Sequence, residues 1–132
     1  MLVLIAVLAV TTAFGLLWRA RQGRVRDSDG RIDVRRELGE QPGERATLLQ
    51  FSSAFCSPCR ATKRLLADVA TTVPGVRHVE VDAESHLELV RRLNVLKTPT
   101  TLVLDAGGNI RQRAAGVPRK EQVLAALGSA VG

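Results

Sequence analysis

The chain opens on one unbroken apolar run, and only beyond it do polar and apolar positions begin to alternate. Residues 2–18, LVLIAVLAVTTAFGLLW, carry no charge. At 1.5 Å rise per residue they span roughly 26 Å as a helix, the short end of a bilayer crossing. Downstream the pattern breaks into short units. RIDV (31–34) is a candidate first strand, and RRELGEQPGER has room for one helical turn before Pro42-Gly43. ATLLQFSS (46–53) is an apolar run of strand length, suited to a buried strand. From Cys59 the period turns helical. Ala61, Leu65 and Val69 are spaced by four, Leu66, Ala70 and Val73 widen the stripe, and Pro74-Gly75 stops it. VRHVEVD (76–82) reads as a strand with Val79 and Val81 on one face. SHLELVRRL reads as a helix with Ser85 at its N-cap and Glu88 three residues on. Pro99 precedes a strand over about residues 100–104, a turn at 105–108 and a second strand in NIRQRAA, a hairpin signal. PRKEQVLAALGSA is a final helix with Pro118 near its first turn. This order predicts an α/β fold, a mixed central sheet flanked by helices.

The 132 residues are of single-domain size, enough for a core without a disulfide staple. The net charge of +6 first suggests nucleic acid. Its distribution points elsewhere. Arg19, Arg21, Arg24 and Arg26 stand within the first 26 residues, which hold no acid; of 19 Lys and Arg, these four leave 15 to face 13 acidic residues. The excess therefore flanks the apolar run, where anionic lipid headgroups are the natural partner. With no Tyr and one Trp, base-stacking platforms are poorly supplied, and no nucleic-acid partner is expected.

Three readings of the apolar run compete. A secretory signal peptide carries positive charge ahead of its apolar region, where this chain offers only its α-amino group; Thr11-Thr12-Ala13 is an ordinary cleavage site. A helix buried in a soluble core shows a polar face, and here only Thr11 and Thr12 are polar. A single membrane anchor fits best, with Trp18 at the headgroups. The division that follows is residues 1–18 as transmembrane anchor, 19–30 as basic linker and 31–132 as the soluble domain. Arginines on the C-terminal flank favour a cytoplasmic domain, with an extracytoplasmic one as the alternative.

FSSAFCSPCR (51–60) holds the chain's two cysteines, Cys56 and Cys59. Such a pair staples a fold, binds metal or exchanges electrons. So short a loop constrains little of an unfolded chain, which weakens the staple. A structural zinc needs four ligands and the pair supplies two. His78 and His86, the only histidines, stand at no usual finger spacing, so no metal is expected. Electron exchange suits the position. At a strand-to-helix junction Cys56 falls at or just before the first helical residue and Cys59 one turn on, which makes a disulfide feasible. The free amides of the first turn and the helix dipole favour a thiolate at Cys56, and Arg60 and Lys63 add positive charge. Pro58 costs no helix hydrogen bond this early and stiffens the turn. Only a thiolate attacks a disulfide, so the pair can make a nucleophile.

FSSAFCSPCR after a strand, VEVD at the end of the next, KTPTTLVL before the hairpin and Gly116 ahead of the last helix together resemble the thioredoxin family, from about Arg31 to the C-terminus. The resemblance implies a thioredoxin fold, with Cys56 as nucleophile and Cys59 resolving the mixed disulfide. It implies a cis bond before Pro99, a proline that faces the pair, and a substrate segment on the backbone of Thr98. Three positions depart from the family pattern. Phe55 replaces Trp, keeping a flat apolar contact without the indole donor. Ser57-Pro58 replaces Gly-Pro, with the Ser57 hydroxyl facing a sulfur or solvent. Gln50 stands where the family carries a buried acid that helps deprotonate the second cysteine, and an amide cannot take that proton. His78 matches a family lysine; either it or water is the expected acceptor, the alternative being an ordinary strand residue.

The sequence thus reads as a membrane-tethered thiol–disulfide oxidoreductase with a dithiol resting state in the cytoplasm. Its expected partners are disulfide-containing protein substrates, an electron donor such as a flavin-dependent thioredoxin reductase, and membrane lipid along residues 2–18. The sequence shows no nucleotide-binding motif, and no cofactor is expected. One alternative is an extracytoplasmic reductase or oxidase. The other is a thioredoxin-fold adaptor that keeps the pair as a redox sensor.

Overall fold

The computed structural model describes residues 1–21, 25–27 and 30–131. The first helix, α1 (Leu2–Arg21), is continuous, and no part of its Leu2–Arg19 window is buried. With a mean hydropathy of 2.1 the window is long and apolar enough to cross a membrane; a signal sequence has the same length and composition. Its two threonines return their hydroxyls to the preceding turn, Thr11 Oγ1 to the Val7 carbonyl at 2.9 Å and Thr12 Oγ1 to the Leu8 carbonyl at 2.7 Å. Neither needs an outside partner.

The remaining elements are β1 (Val25–Asp27), α2 (Val34–Leu38), β2 (Ala46–Ser52), α3 (Ser57–Thr72), β3 (Val76–Asp82), α4 (Leu87–Arg92), β4 (Thr100–Asp105), β5 (Ile110–Ala115) and α5 (Lys120–Val131). The strands form one mixed sheet in the order β1-β5-β4-β2-β3. Parallel β2 and β3 are joined through α3; β2–β4, β4–β5 and β1–β5 are antiparallel. Every residue of β2 is buried, as its unbroken apolar run requires of a strand covered on both faces.

Alternation along the strands divides the core in two. One layer joins Leu49, Phe51, Val79, Val81, Leu102 and Leu104 to Leu89 and Leu93 around α4. The other joins Ala46, Leu48, Val76 and Val103 to Leu66 and Val69 of α3 and to Val123 and Leu127 of α5.

Local chemistry moves several boundaries. RIDV is not a strand. Arg31 makes a single bridge to Asn109, and Asp33 caps α2 by accepting the Arg36 amide at 3.1 Å. That cap turns the chain into a helix at Val34. The first strand is instead Val25–Asp27, inside the segment expected to be linker; residues 22–24 and 28–29 of that linker, including part of RDSDGR, lie outside the described residues. Gly39, at φ 66°, ends α2 before Pro42-Gly43 is reached. Ser85 does not cap α4. It belongs to a 3-10 turn, Ala83–Ser85, and its hydroxyl donates to Asp82 Oδ2 at 2.9 Å. The buried line of α3 runs through Cys59, Thr62, Leu66 and Val69, whereas Ala61 is exposed.

Candidate functional site

The site forms where an apolar sheet face becomes polar. On the α3 side, Ala46 and Leu48 of β2 and Val76 of β3 are core. Further along the same face the positions are Gln50 and Ser52 on β2, and His78 and Glu80 on β3. The parallel register sets Gln50 opposite Glu80 and Ser52 opposite Asp82. Polar groups at this depth need partners. Gln50 is fully buried; its Nε2 donates to the Cys59 carbonyl at 2.8 Å and to Ser52 Oγ at 2.9 Å. Both amide hydrogens are thereby used, which leaves Oε1 to accept from His78 Nε2 at 2.8 Å. Ser52 Oγ donates onward to Glu80 Oε2 at 3.3 Å, and Glu80 Oε1 pairs with Lys63 Nζ of α3 at 3.5 Å.

This network fixes the state of His78. Burial holds its imidazole below the usual histidine range; Glu80 opposes the effect and Lys63 reinforces it. The neutral ring carries its proton on Nε2, the nitrogen that donates to Gln50.

Past β2 the chain enters the loop of the pair. Phe55 has φ 60° and is fully exposed, so its ring stands clear of the domain on a left-handed backbone. Cys56 is the N-cap of α3, with extended dihedrals of φ −100° and ψ 100°, and its Sγ accepts the Cys59 amide at 3.2 Å. Ser57 and Pro58 are the exposed first two residues of the helix, where the proline lacks nothing. Cys56 and Cys59 are joined by a disulfide, with Cα atoms 5.2 Å apart. Exposure divides the two: Cys56 is half-buried, Cys59 only 4% exposed.

A second loop closes against the first. The Thr98–Pro99 bond is cis and Pro99 is buried. Thr98 Oγ1 lies 3.9 Å from Cys56 Sγ and 2.8 Å from Ser53 Oγ. The Pro99 carbonyl accepts from Gly116 N at 2.8 Å, where φ of 86° favours glycine. A cavity of about 260 Å³ opens beside the pair, lined by Ser52, Phe55, Cys56, Cys59, Lys63 and Glu80 among others.

The structure therefore brings Phe55, Cys56, Ser57, Pro58, Cys59, Thr98 and Pro99 to one end of the sheet, with Gln50 and His78 beneath. His86 stands apart at the start of α4, its Nδ1 against the Asp82 carbonyl at 3.1 Å. Among the described residues no group of three or more His, Cys, Asp or Glu could hold a metal ion. Sequence reasoning overlooked Ser52, Ser53 and Glu80. The signal was present: alternation from Leu48 places Gln50 and Ser52 on one face, and alternation from Val76 places His78 and Glu80 beside them.

Comparison with known proteins gives a consistent picture. A family model described as Thioredoxin matches residues 36–129. The chain is 29% identical over 77 residues to Thioredoxin-2 of Pyricularia oryzae, covering 58% of this chain and 45% of that protein. It is 30% identical over 74 residues to Thioredoxin-1 of Caenorhabditis elegans, covering 56% and 64%. The aligned part thus spans about half the length of the curated relatives it matches. Thioredoxin f of spinach chloroplast superposes with a TM-score of 0.59 at 20% identity, covering 68% of this chain and 80% of that one, a likeness of fold.

Proposed function

The chain belongs to the thioredoxin family, and on that premise we propose that it is a thiol–disulfide oxidoreductase that reduces protein disulfides. The observation that carries the reading is the asymmetry of the pair. Cys56 caps α3 and is half-buried, while Cys59 is only 4% exposed behind it. In the dithiol form the Cys56 thiolate, favoured by the amides of the first turn, attacks one sulfur of a substrate disulfide and expels the other as a thiolate. Cys59 then loses its proton and attacks Cys56 Sγ. The mixed disulfide breaks, the substrate leaves reduced, and the two electrons it gained are balanced by the Cys56–Cys59 disulfide. A dithiol donor, such as a thioredoxin reductase, returns the pair to its reduced form. Phe55 and the Thr98–Pro99 loop flank Cys56, and this supports a substrate segment lying across them with its backbone on Thr98. Ser57 and Pro58 shape the turn between the sulfurs.

Insulin reduction by the full chain in detergent, with dithiothreitol as electron source, tests the reading. Catalysed precipitation of the B chain is expected, and its loss in Cys56→Ser. No turnover by the unaltered chain would point to a redox-sensing adaptor instead.

The length and hydropathy of α1 support a membrane anchor, and Arg19 and Arg21 on its C-terminal flank support a cytoplasmic domain. The link from anchor to domain then falls between the end of α1 at Arg21 and the start of β1 at Val25. A phosphatase that is active only outside the cytoplasm, fused after Gly132, should be silent; strong activity would reverse the orientation and favour the extracytoplasmic reading.

A further inference from the structure

We infer that Glu80 is the proton acceptor for Cys59 during resolution, in place of a buried acid. The inference rests on the oxidoreductase reading and specifies one step of it. The resolving thiol needs a base. Gln50, below it, is an amide whose two hydrogens are committed to the Cys59 carbonyl and Ser52 Oγ. His78 presents to Gln50 the nitrogen that already carries its proton. One carboxylate remains. Glu80 shares the 260 Å³ cavity with Cys56, Cys59 and Ser52, and its Oε2 accepts the Ser52 hydroxyl at 3.3 Å. That volume holds several waters at about 30 Å³ each, so a proton can pass from Cys59 Sγ to Glu80 without a direct contact. Its side chain is 36% exposed, which lets the carboxyl release the proton to solvent afterwards.

Placement also sets the charge around this carboxylate. Lys63 faces it from α3 at 3.5 Å, and Arg60 of the same helix lines the cavity. His78 is on its own strand, Gln50 and Ser52 on β2, and the pair on the α3 turn. The two cations offset the repulsion that Glu80 would otherwise exert on a Cys59 thiolate. In the step itself the S–H bond of Cys59 breaks and its proton passes through water to Glu80. The sulfur's electron pair forms the bond to Cys56 Sγ, and the substrate sulfur departs with the pair from the broken mixed disulfide.

The test is stopped-flow release of a chromogenic aryl thiolate from its mixed disulfide with Cys56, in the full chain, between pH 5 and 9. Glu80→Gln keeps an oxygen for Ser52 and removes the base. Release at pH 7 should slow roughly tenfold or more, with the rate rising with hydroxide to higher pH than in the unaltered protein. Glu80→Asp should recover most of the rate. A carboxylate acting only by repulsion predicts the opposite sign, faster release in Glu80→Gln, and that outcome or an unchanged rate and profile overturns the inference. If the unaltered chain forms no mixed disulfide at Cys56, the oxidoreductase reading itself fails.

Discussion

Gln50 shows what one residue can change in its neighbours. A buried carboxylate there would titrate; the amide instead distributes fixed hydrogen bonds to the Cys59 carbonyl, Ser52 and His78. The neutral imidazole beside it has a measurable consequence. The His78 pKa is lowered in the fold, mainly by burial. The unfolded chain therefore takes up this proton first, as pH falls through about 6.5. The stability that depends on a neutral His78 is complete above that pH and is lost progressively below it. Chemical denaturation at pH 7.5 and pH 5.5 should show a lower midpoint at the acid value, and His78→Gln should reduce the difference. Side-chain identities at the site were legible in the sequence, since the pair, Thr98, Pro99 and Gln50 all stand where the resemblance put them. The left-handed backbone of Phe55 was not, because nothing in an aromatic residue's chemistry announces a positive φ. Nor was the partner of His78, which depends on how a neighbouring amide is oriented.

Among the elements, α3 holds the pair at its N-terminus and reaches the core through Leu66 and Val69. Leu66→Ala should cost about 2–5 kcal/mol, as a large-to-small change in a filled layer. Ala61→Ser, on the exposed side, should stay within roughly 0.5 kcal/mol. Equal effects in thermal melts followed by circular dichroism would contradict the observed face. Leu65, Leu66, Val69, Ala70 and Val73 of the sequence stripe do pack on the core, and only its first member fails: Thr62, a polar residue, is fully buried there, while the apolar Ala61 is not. Periodicity counts apolar residues and has no account of a threonine turned inward. The hairpin strands and α5 were readable for the converse reason, since turn residues bounded the strands and apolar residues met the core in α5. Asp105 makes the turn explicit, accepting from the Gly107 and Asn109 amides at 3.0 and 2.9 Å. The edge strand Val25–Asp27 was hidden in a basic segment with no apolar alternation. It pairs through its backbone with β5, and backbone pairing leaves no trace in composition.

At the scale of the whole molecule, the chain is an apolar helix followed by a mixed sheet with a redox pair at one end. The distribution of its aromatic side chains separates these parts in another way. Trp18 is the chain's only tryptophan and there is no tyrosine. It sits in α1 with its ring 5.7 Å from that of Phe14, and it is 58% exposed. The domain that carries the disulfide is consequently dark to excitation near 295 nm. Emission should therefore stay unchanged when dithiothreitol reduces the pair, and shift to shorter wavelength when lipid vesicles take up α1. A redox-dependent change without lipid would show that the indole senses the pair. On this arrangement the protein's intrinsic fluorescence reports the surroundings of α1 and is blind to the oxidation state of its sulfurs.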